Sequence, residues 1–234
     1  MEVICPLLYR LHVYMRGVYM KKRHFVIGMV ILVLIAAGGW ILMKMAGRPL
    51  ALKDSLTASH LDTESRTDDG FYLYTSKKNG YSMLFPEDYS IDRESHEEKK
   101  KFESWHIYPL SEEDETLLRS IKYIYSYDRS PEAFFKKYSY QGDYETINKK
   151  EDAQTVIHIG AVYNSFDKDA KMTKRDPAKY GPSLVLAMVE NPDTGENLRI
   201  ISSVRCPKNK TCEKVRLEEE RNFVMRLAES VQFK

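Results

Sequence analysis

The chain has 234 residues and a nearly balanced charge, with 36 Lys and Arg against 34 Asp and Glu and a formal net charge of +2. It lacks the clustered basic face that nucleic-acid binding requires, so we expect no nucleic-acid partner. It also carries no convincing set of catalytic or cofactor-binding residues. We therefore expect a protein that is not an enzyme and that uses no cofactor.

The first feature along the chain is an apolar run at residues 25–43 that contains no charged residue. Lys21, Lys22 and Arg23 precede the run, and Lys44 follows it. At about 1.5 Å per residue a helix of this length covers roughly 28 Å, close to the thickness of a bilayer's hydrocarbon core. The run predicts one transmembrane helix, which makes the membrane the first expected partner.

The charges on either side of this run indicate its orientation. Five of the 36 cations and one of the 34 acids precede it, which leaves 31 basic and 33 acidic residues after it. Positive charge is favoured on the cytoplasmic side of a membrane helix. We therefore expect residues 1–24 to be a short cytoplasmic tail and the larger part to be extracytoplasmic, in a single-pass protein of the cell membrane.

Two other interpretations of the N-terminal region stay open. Residues 36–38 (Ala-Ala-Gly) resemble the cleavage site of a signal peptide, although residues 40–43 prolong the apolar run beyond the usual length of a signal core. Residues 1–19 are either a genuine tail or an over-called start, because Met20 and the three cations after it are a normal beginning for an exported bacterial chain. A lipid anchor is not supported, since no Cys lies near the end of the run.

The region after the run divides into two parts. Residues 44–69 are polar and show no apolar periodicity, so they are predicted to form a flexible stalk. From Gly70 the sequence becomes rich in aromatic and aliphatic residues. We therefore place one folded domain at residues 70–234, which is long enough to bury a core.

Short β-rich segments and turn signals make up most of this domain. Segments 71–74 and 81–85 flank Asn79-Gly80, the strongest short-range signal for a β-hairpin. Further strands are predicted at residues 102–108, 121–127, 156–166, 183–189 and 198–204. Turn residues at 191–196 join the last two strands and predict a second hairpin.

One of these strands carries a row of three tyrosines. Tyr123, Tyr125 and Tyr127 alternate with other residues and therefore share one face of the strand. Large amphipathic side chains in a row are typical of surfaces that bind a protein or glycan, which makes the three tyrosines candidate partner-binding residues. The alternative is a sheet face that a helix covers.

Two helices are predicted. Ser130, Pro131 and Glu132 provide an N-cap, a first-turn proline and a first-turn acid, and apolar residues follow them. The second helix is predicted at residues 213–229, where apolar residues are set among charges. The fold class is therefore α+β, with a mainly antiparallel sheet flanked by helices.

Two of the three cysteines, Cys206 and Cys212, are close enough in sequence to form an intramolecular disulfide. An extracytoplasmic location favours the oxidised form. The alternative of a zinc site is incomplete, because no second pair of Cys or His residues lies nearby.

The histidines give no clear site. Those after the apolar run are His60, His96, His106 and His158. No pair among them has the spacing of metal ligands, so no metal site is predicted. A sortase-type transpeptidase is the enzymatic alternative, with Cys206 as thiolate, His158 as base and Arg216 or Arg221 as oxyanion partner. The disulfide spacing of Cys206 argues against it.

The two ends of the domain resemble those of PsbP-like domains. Residues 80–89 (Gly-Tyr-Ser-Met-Leu-Phe-Pro-Glu-Asp-Tyr) are similar to their opening strand, and residues 227–233 (Leu-Ala-Glu-Ser-Val-Gln-Phe) are similar to the end of their terminal helix. The resemblance covers about residues 70–234. It implies an α/β/α sandwich with a central antiparallel sheet, used as an accessory or assembly module.

Taken together, these features predict a non-enzymatic, membrane-anchored extracytoplasmic binding or assembly module of the bacterial envelope. Its expected partner is another envelope or membrane protein. The alternatives are the sortase-type enzyme and an inner-membrane subunit of a secretion or conjugation channel, which can share the layout of a short tail, one membrane span and an α+β domain.

Overall fold

A computed structural model describes residues 49–109, 118–140, 143–148, 155–166, 172–177, 179–205 and 215–234. All of these residues fall within the unit formed by residues 49–234. The predicted tail and transmembrane run lie outside the described residues, and so do Cys206 and Cys212.

A small antiparallel sheet forms first along the chain. Its strands, in spatial order, are β1 (Leu61–Asp62), β2 (Phe71–Thr75) and β3 (Ser82–Pro86). The β2–β3 hairpin confirms the prediction made from Asn79-Gly80, and Gly80 adopts the positive φ of 76° that this turn requires. A bridge from Ser82 to Gln232 brings the C-terminus onto the edge of β3.

The main sheet has eight antiparallel strands, and a two-stranded hairpin lies beside it. The strands that follow β3 are β4 (Tyr89–Ile91), β5 (Glu97–Lys99), β6 (Phe102–Pro109), β7 (Leu118–Tyr127), β8 (Glu145–Asn148), β9 (Val156–Val162), β10 (Asn164–Phe166), β11 (Met172–Lys174), β12 (Leu184–Asn191) and β13 (Glu196–Arg205). The order across the main sheet is β4-β6-β7-β13-β12-β9-β8, with β5 also paired to β6, whereas β10 pairs with β11. The predicted mainly antiparallel sheet is confirmed.

Three α-helices and one short 3-10 turn occur among the described residues. They are the turn at Leu50–Leu52, α1 (Ser55–Ala58), α2 (Pro131–Lys137) and α3 (Leu217–Glu229). The Ser130 side chain accepts a hydrogen bond from the backbone N–H of Ala133, which confirms the predicted N-cap of α2. Glu218, Glu219 and Glu220 occupy the first turn of α3, where the helix dipole favours negative charge.

Both faces of the main sheet are covered. Alternation along the strands directs Leu198 and Ile200 of β13 to the face that packs under the small sheet and α3, which we call the small-sheet face. Leu186 of β12 points the other way and packs against Phe134 and Phe135 of α2, on the face that we call the α2 face. The chain therefore forms a layered α+β fold around a central sheet.

The structure differs from the sequence prediction at residues 49–69, which were expected to be a flexible stalk. Ala51 is buried, and its N–H donates to the Glu87 carbonyl at 2.8 Å. Thr57 is also buried and accepts from the Ile91 N–H at 2.9 Å, while Leu61 pairs with Tyr74 in the small sheet. The segment packs through a few separated residues rather than a periodic apolar stripe, so its sequence has no pattern that signals order.

Candidate functional site

Two adjoining cavities form a groove at the beginning of α3. They have volumes of about 560 Å³ and 290 Å³ and share Tyr163 and Leu217 as lining residues. The larger is also lined by Pro177, Gly181, Pro182, Val215 and Arg216, and the smaller by Tyr140, Asp143, Glu145, Ile159, Gly160, Ala161, Val185 and Arg221. We call the two cavities together the Tyr163 groove.

A close backbone approach builds one wall of the Tyr163 groove. A Cβ atom added to Gly181 would lie only 2.0 Å from the carbonyl oxygen of Val215. Only glycine therefore allows the segment before β12 to lie directly against the segment before α3.

The Tyr163 groove combines an apolar lining with charged groups at its rim. Leu217 remains 38% exposed, although leucine usually favours the interior. Arg221 forms an ion pair with Glu145 at one side of the groove. Burial raises the pKa of the Tyr163 hydroxyl, so the phenol stays neutral at physiological pH. Among the described residues, no histidine or cysteine lines the groove, whereas Asp143 and Glu145 do.

A fully buried carboxylate lies on the small-sheet face of the main sheet. Glu103 of β6 accepts hydrogen bonds from the hydroxyls of Tyr74 and Ser76 at 2.5 Å, from Tyr81 at 2.9 Å and from the Asn79 amide at 3.2 Å. All four donors belong to the β2–β3 hairpin or its flanks. Glu103 therefore fastens the small sheet to the main sheet, and we call these five residues the Glu103 cluster.

The predicted tyrosine face is part of the core. Tyr123 is 0% exposed and Tyr125 is 1% exposed, because the small sheet covers β7. The Tyr125 hydroxyl donates to the buried Glu196 carboxylate at 2.7 Å, and the half-buried Tyr127 donates to the same oxygen at 3.3 Å. The row of tyrosines therefore forms no open contact surface, and the packing partner is a sheet rather than the helix that the sequence suggested.

A family comparison bears on what this fold does. A family model described as "Putative lipoprotein YvcA" matches residues 48–232. The chain belongs to this family. The family has the Mog1/PsbP-like fold, which agrees with the PsbP-like resemblance of residues 80–89 and 227–233. No match was found among curated proteins or among solved structures.

Membership of the YvcA family indicates a membrane-associated, extracytoplasmic module. The family description refers to a lipid anchor, whereas the sequence predicts a transmembrane one. The cysteines of this chain are Cys5, Cys206 and Cys212, and none directly follows the apolar run. Within the described residues no helix is both long and apolar enough to cross a membrane.

Among the described residues of this YvcA-family chain, His158 is not brought together with Arg216 or Arg221, and Cys206 lies outside the described residues. His158 lies on the α2 face of β9, where its Nε2 is 2.9 Å from Glu190 and its Nδ1 is 3.1 Å from the Thr146 hydroxyl. Arg216 and Arg221 belong to the start of α3, which packs on the opposite, small-sheet face. Strand alternation thus separates the expected base from both expected oxyanion partners.

The structure also joins two residues that sequence spacing kept apart. His60, placed by the sequence in the stalk, contacts His96, placed in a charged turn, with ring centres 5.3 Å apart. No local pattern connects positions so distant in the chain. Glu103 did leave a signal, because it shares the inward-facing positions of β6 with Trp105 and Ile107. A charge at an inward position indicates a buried carboxylate with partners.

Proposed function

We propose that this YvcA-family protein is a non-enzymatic binding module, tethered to the membrane on its extracytoplasmic side. We infer further that it captures an extended segment of another envelope or membrane protein in the Tyr163 groove. The observation that carries this proposal is an open groove whose lining combines aromatic, proline and aliphatic residues with an exposed leucine, Leu217. Such linings supply the apolar contact area of binding sites, with polar groups at the rim.

The rim of the groove suggests the chemistry of the partner. Arg175 and Lys179 lie over the Tyr180 ring, at 4.9 Å and 5.2 Å from its centre, in the segment that contains Pro177 and Gly181. Arg216, which is exposed and forms an ion pair with Glu219 at 2.9 Å, adds a third cation at the start of α3. We therefore propose an apolar partner segment flanked by acidic residues, because opposite charges orient a partner at the rim.

We propose that the tether is a transmembrane helix at residues 25–43. Nineteen residues without a charge support this, and so does the absence of a Cys directly after them. Metabolic labelling with a fatty-acid analogue tests the alternative, since a lipoprotein would incorporate the label. The proposed helix predicts no label, together with trimming of residues 49–234 by protease added to intact cells.

A site-specific photo-crosslinker tests the groove. Placed at Leu217, it should form a defined adduct with one envelope or membrane protein in living cells. Tyr108 is the matched control, because it is 40% exposed and lies on β6, away from the groove. Leu217→Asp should abolish capture without loss of folding, whereas Tyr108→Asp should leave capture unchanged.

Two outcomes would redirect the proposal. Equal adducts at positions 217 and 108, or none at 217, would remove the groove as the binding site. Adducts with several subunits of one membrane complex would favour the channel-subunit alternative.

The predicted Cys206–Cys212 disulfide is tested by mass spectrometry of the unreduced protein. Two rapidly alkylated thiols would revive the alternative of a reactive Cys206.

A further inference from the structure

Two histidines form an incomplete polar site beside the small sheet. His60 follows α1 and is only 6% exposed, and His96 immediately precedes β5. Their ring planes meet at 63° with centres 5.3 Å apart. The Nδ1 atom of His60 and the Nε2 atom of His96 are both buried, and neither has a hydrogen-bond partner among the described residues.

Buried polar atoms in native proteins almost always have a partner, and an unpaired one calls for an explanation such as a bound water, a bound ion, local strain or a functional role. Here two such atoms occur on neighbouring rings of the same residue type. Tyr74 belongs to the Glu103 cluster, and its ring also stacks on His60 with ring centres 5.3 Å apart. The neighbouring Glu103 carboxylate has hydrogen-bond partners for both of its oxygens. Tyr123, Arg199 and Ser202 each also have one buried polar atom without a partner among the described residues, but only the two imidazoles place two such atoms on rings in contact.

The spacing of the rings fits a shared metal ion. Imidazole nitrogen binds Zn²⁺ at about 2.0–2.1 Å, and the ring centre lies roughly 1.1 Å behind the nitrogen. Two imidazoles at a tetrahedral angle then have ring centres about 5.1 Å apart. The observed 5.3 Å between His60 and His96 is close to this value.

The groups beside His60 carry charges of both signs. Burial lowers the pKa of His60, and the nearby Lys77 ammonium lowers it further, while the Glu98 carboxylate acts in the opposite direction. Glu98 is held in place because its Oε1 accepts from the backbone N–H groups of Lys77 and Lys78, each at 3.0 Å. A fixed carboxylate beside the pair offsets part of the Lys77 charge that opposes a metal cation.

We propose that His60 Nδ1 and His96 Nε2 together bind a divalent first-row transition-metal ion. The described residues contain no group of three or more His, Cys, Asp and Glu side chains that would complete a coordination shell. The two imidazoles therefore supply two ligands, and water or an external group fills the open positions. Imidazole favours Cu²⁺ and Zn²⁺, with Cu²⁺ bound more tightly, over oxygen-seeking Ca²⁺.

Bound metal would join two parts of the domain. His60 belongs to the segment that leads from the N-terminal region into β1, and His96 belongs to the β4–β5 connection. A shared ion would clamp the membrane-proximal segment to the main sheet. This role is independent of the Tyr163 groove, so the two proposals stand or fall separately.

Metal uptake by the full-length, detergent-solubilised protein provides the test. After treatment with EDTA, the protein is dialysed against ZnCl₂ or CuSO₄, and the bound metal is counted by mass spectrometry. We expect the natural protein to retain one more ion per chain than His60→Ala or His96→Ala. His106→Ala is the matched control, because the His106 ring on β6 stacks on Tyr108 rather than on either histidine of the pair, and it should retain as much metal as the natural protein.

Two further readouts separate a metal site from a merely structural pair. Zn²⁺ should raise Tm by about 5 °C or more in the natural protein and in His106→Ala, but not in His96→Ala. The Cu²⁺ paramagnetic resonance spectrum should show coupling to two imidazole nitrogens. Lys77→Ala should tighten binding several-fold, since it removes the cation beside His60.

The proposal fails if the natural protein retains no more metal than the His60→Ala/His96→Ala double variant. It also fails if the Zn²⁺-induced rise in Tm survives in both single variants. Should His60→Ala not fold, His96→Ala decides the question alone, because His96 is only partly buried. Binding of Ca²⁺ at the same level as Zn²⁺ would contradict the imidazole assignment.

Discussion

The Glu103 cluster and the His60–His96 pair lie on two sides of the same residue, Tyr74. The Tyr74 hydroxyl donates to Glu103 at 2.5 Å, and the Tyr74 ring stacks on His60 at an angle of 11°. Four donors bind the Glu103 carboxylate, whereas one buried nitrogen of each histidine has no partner among the described residues. The comparison separates a polar network whose hydrogen bonds are complete from one whose hydrogen bonds are incomplete among the described residues.

The two sites differ in whether hydrogen bonds within the protein offset the free-energy cost of burying their polar atoms. A buried carboxylate is expensive unless hydrogen bonds replace its hydration, and the β2–β3 hairpin brings those donors when it packs. One buried nitrogen of each histidine has no hydrogen-bond partner among the described residues, so the cost of its burial is not offset there. The following predictions test this contrast from the largest effect to the smallest.

Glu103→Ala should have the largest effect. It leaves the hydroxyls of Tyr74, Ser76 and Tyr81 without their acceptor and opens a cavity between the two sheets. We expect the free energy of unfolding to fall by roughly 3–5 kcal/mol, measured by urea denaturation and circular dichroism. Glu97→Ala, at an exposed position on β5, is the control and should change it by less than about 0.5 kcal/mol.

A small loss in Glu103→Ala, similar to that of Glu97→Ala, would show that the small sheet docks through its apolar contacts alone. The hydrogen bonds of the Glu103 cluster would then contribute no measurable stability, and the cluster would not differ from the His60–His96 pair in this respect.

A pair of hydroxyl deletions on β7 should separate a bonded hydroxyl from an unbonded one. Tyr125→Phe removes the 2.7 Å hydrogen bond to Glu196 and should cost about 1–2 kcal/mol. Tyr123→Phe should cost nearly nothing, because the buried Tyr123 hydroxyl has no hydrogen-bond partner among the described residues. Thermal denaturation of the two variants under identical conditions gives the comparison.

Equal losses in Tyr123→Phe and Tyr125→Phe would contradict this assignment of hydroxyl partners. Thermal silence of both variants would mean that Glu196 is satisfied by Thr194 and Tyr127 without help from Tyr125.

Acidification of the metal-free protein should produce the smallest effect. Burial is the main cause that lowers the pKa values of His60 and His106 below the unfolded reference of 6.5. The unfolded chain then binds more protons than the folded one, so this stability is present above pH 6.5 and is lost as the pH falls below it. We expect the free energy of unfolding of the metal-free protein to fall between pH 7 and pH 5, measured by urea denaturation at each pH.

His60→Gln in the presence of EDTA should flatten this pH dependence, and a slope identical to that of the natural protein would rule out the His60 contribution. The carboxylates change their protonation state at lower pH than the histidines. A hydrogen bond from Arg66 lowers the pKa of Glu87, so its contribution is lost only below its reference value of 4.5. Measurements above pH 5 therefore report mainly on the histidines.

The sequence alone determined the elements whose signals are local. Asn79-Gly80 predicted the β2–β3 hairpin, and Ser130-Pro131 predicted the start of α2. Short runs rich in aromatic, β-branched and aliphatic residues located β6, β7, β12 and β13. These features depend on residues within a few positions of one another, so the chain encodes them directly.

Only the tertiary structure decided what covers each face and which distant residues meet. The sequence placed Tyr123, Tyr125 and Tyr127 on one face, but the docking of the small sheet buried the first two. The same docking ordered residues 49–69 and brought His60 to His96. Such contacts join segments that are far apart in the chain, and they depend on how the two sheets pack. Side-chain periodicity shows which residues share a face of a strand, but it does not show which element packs on that face.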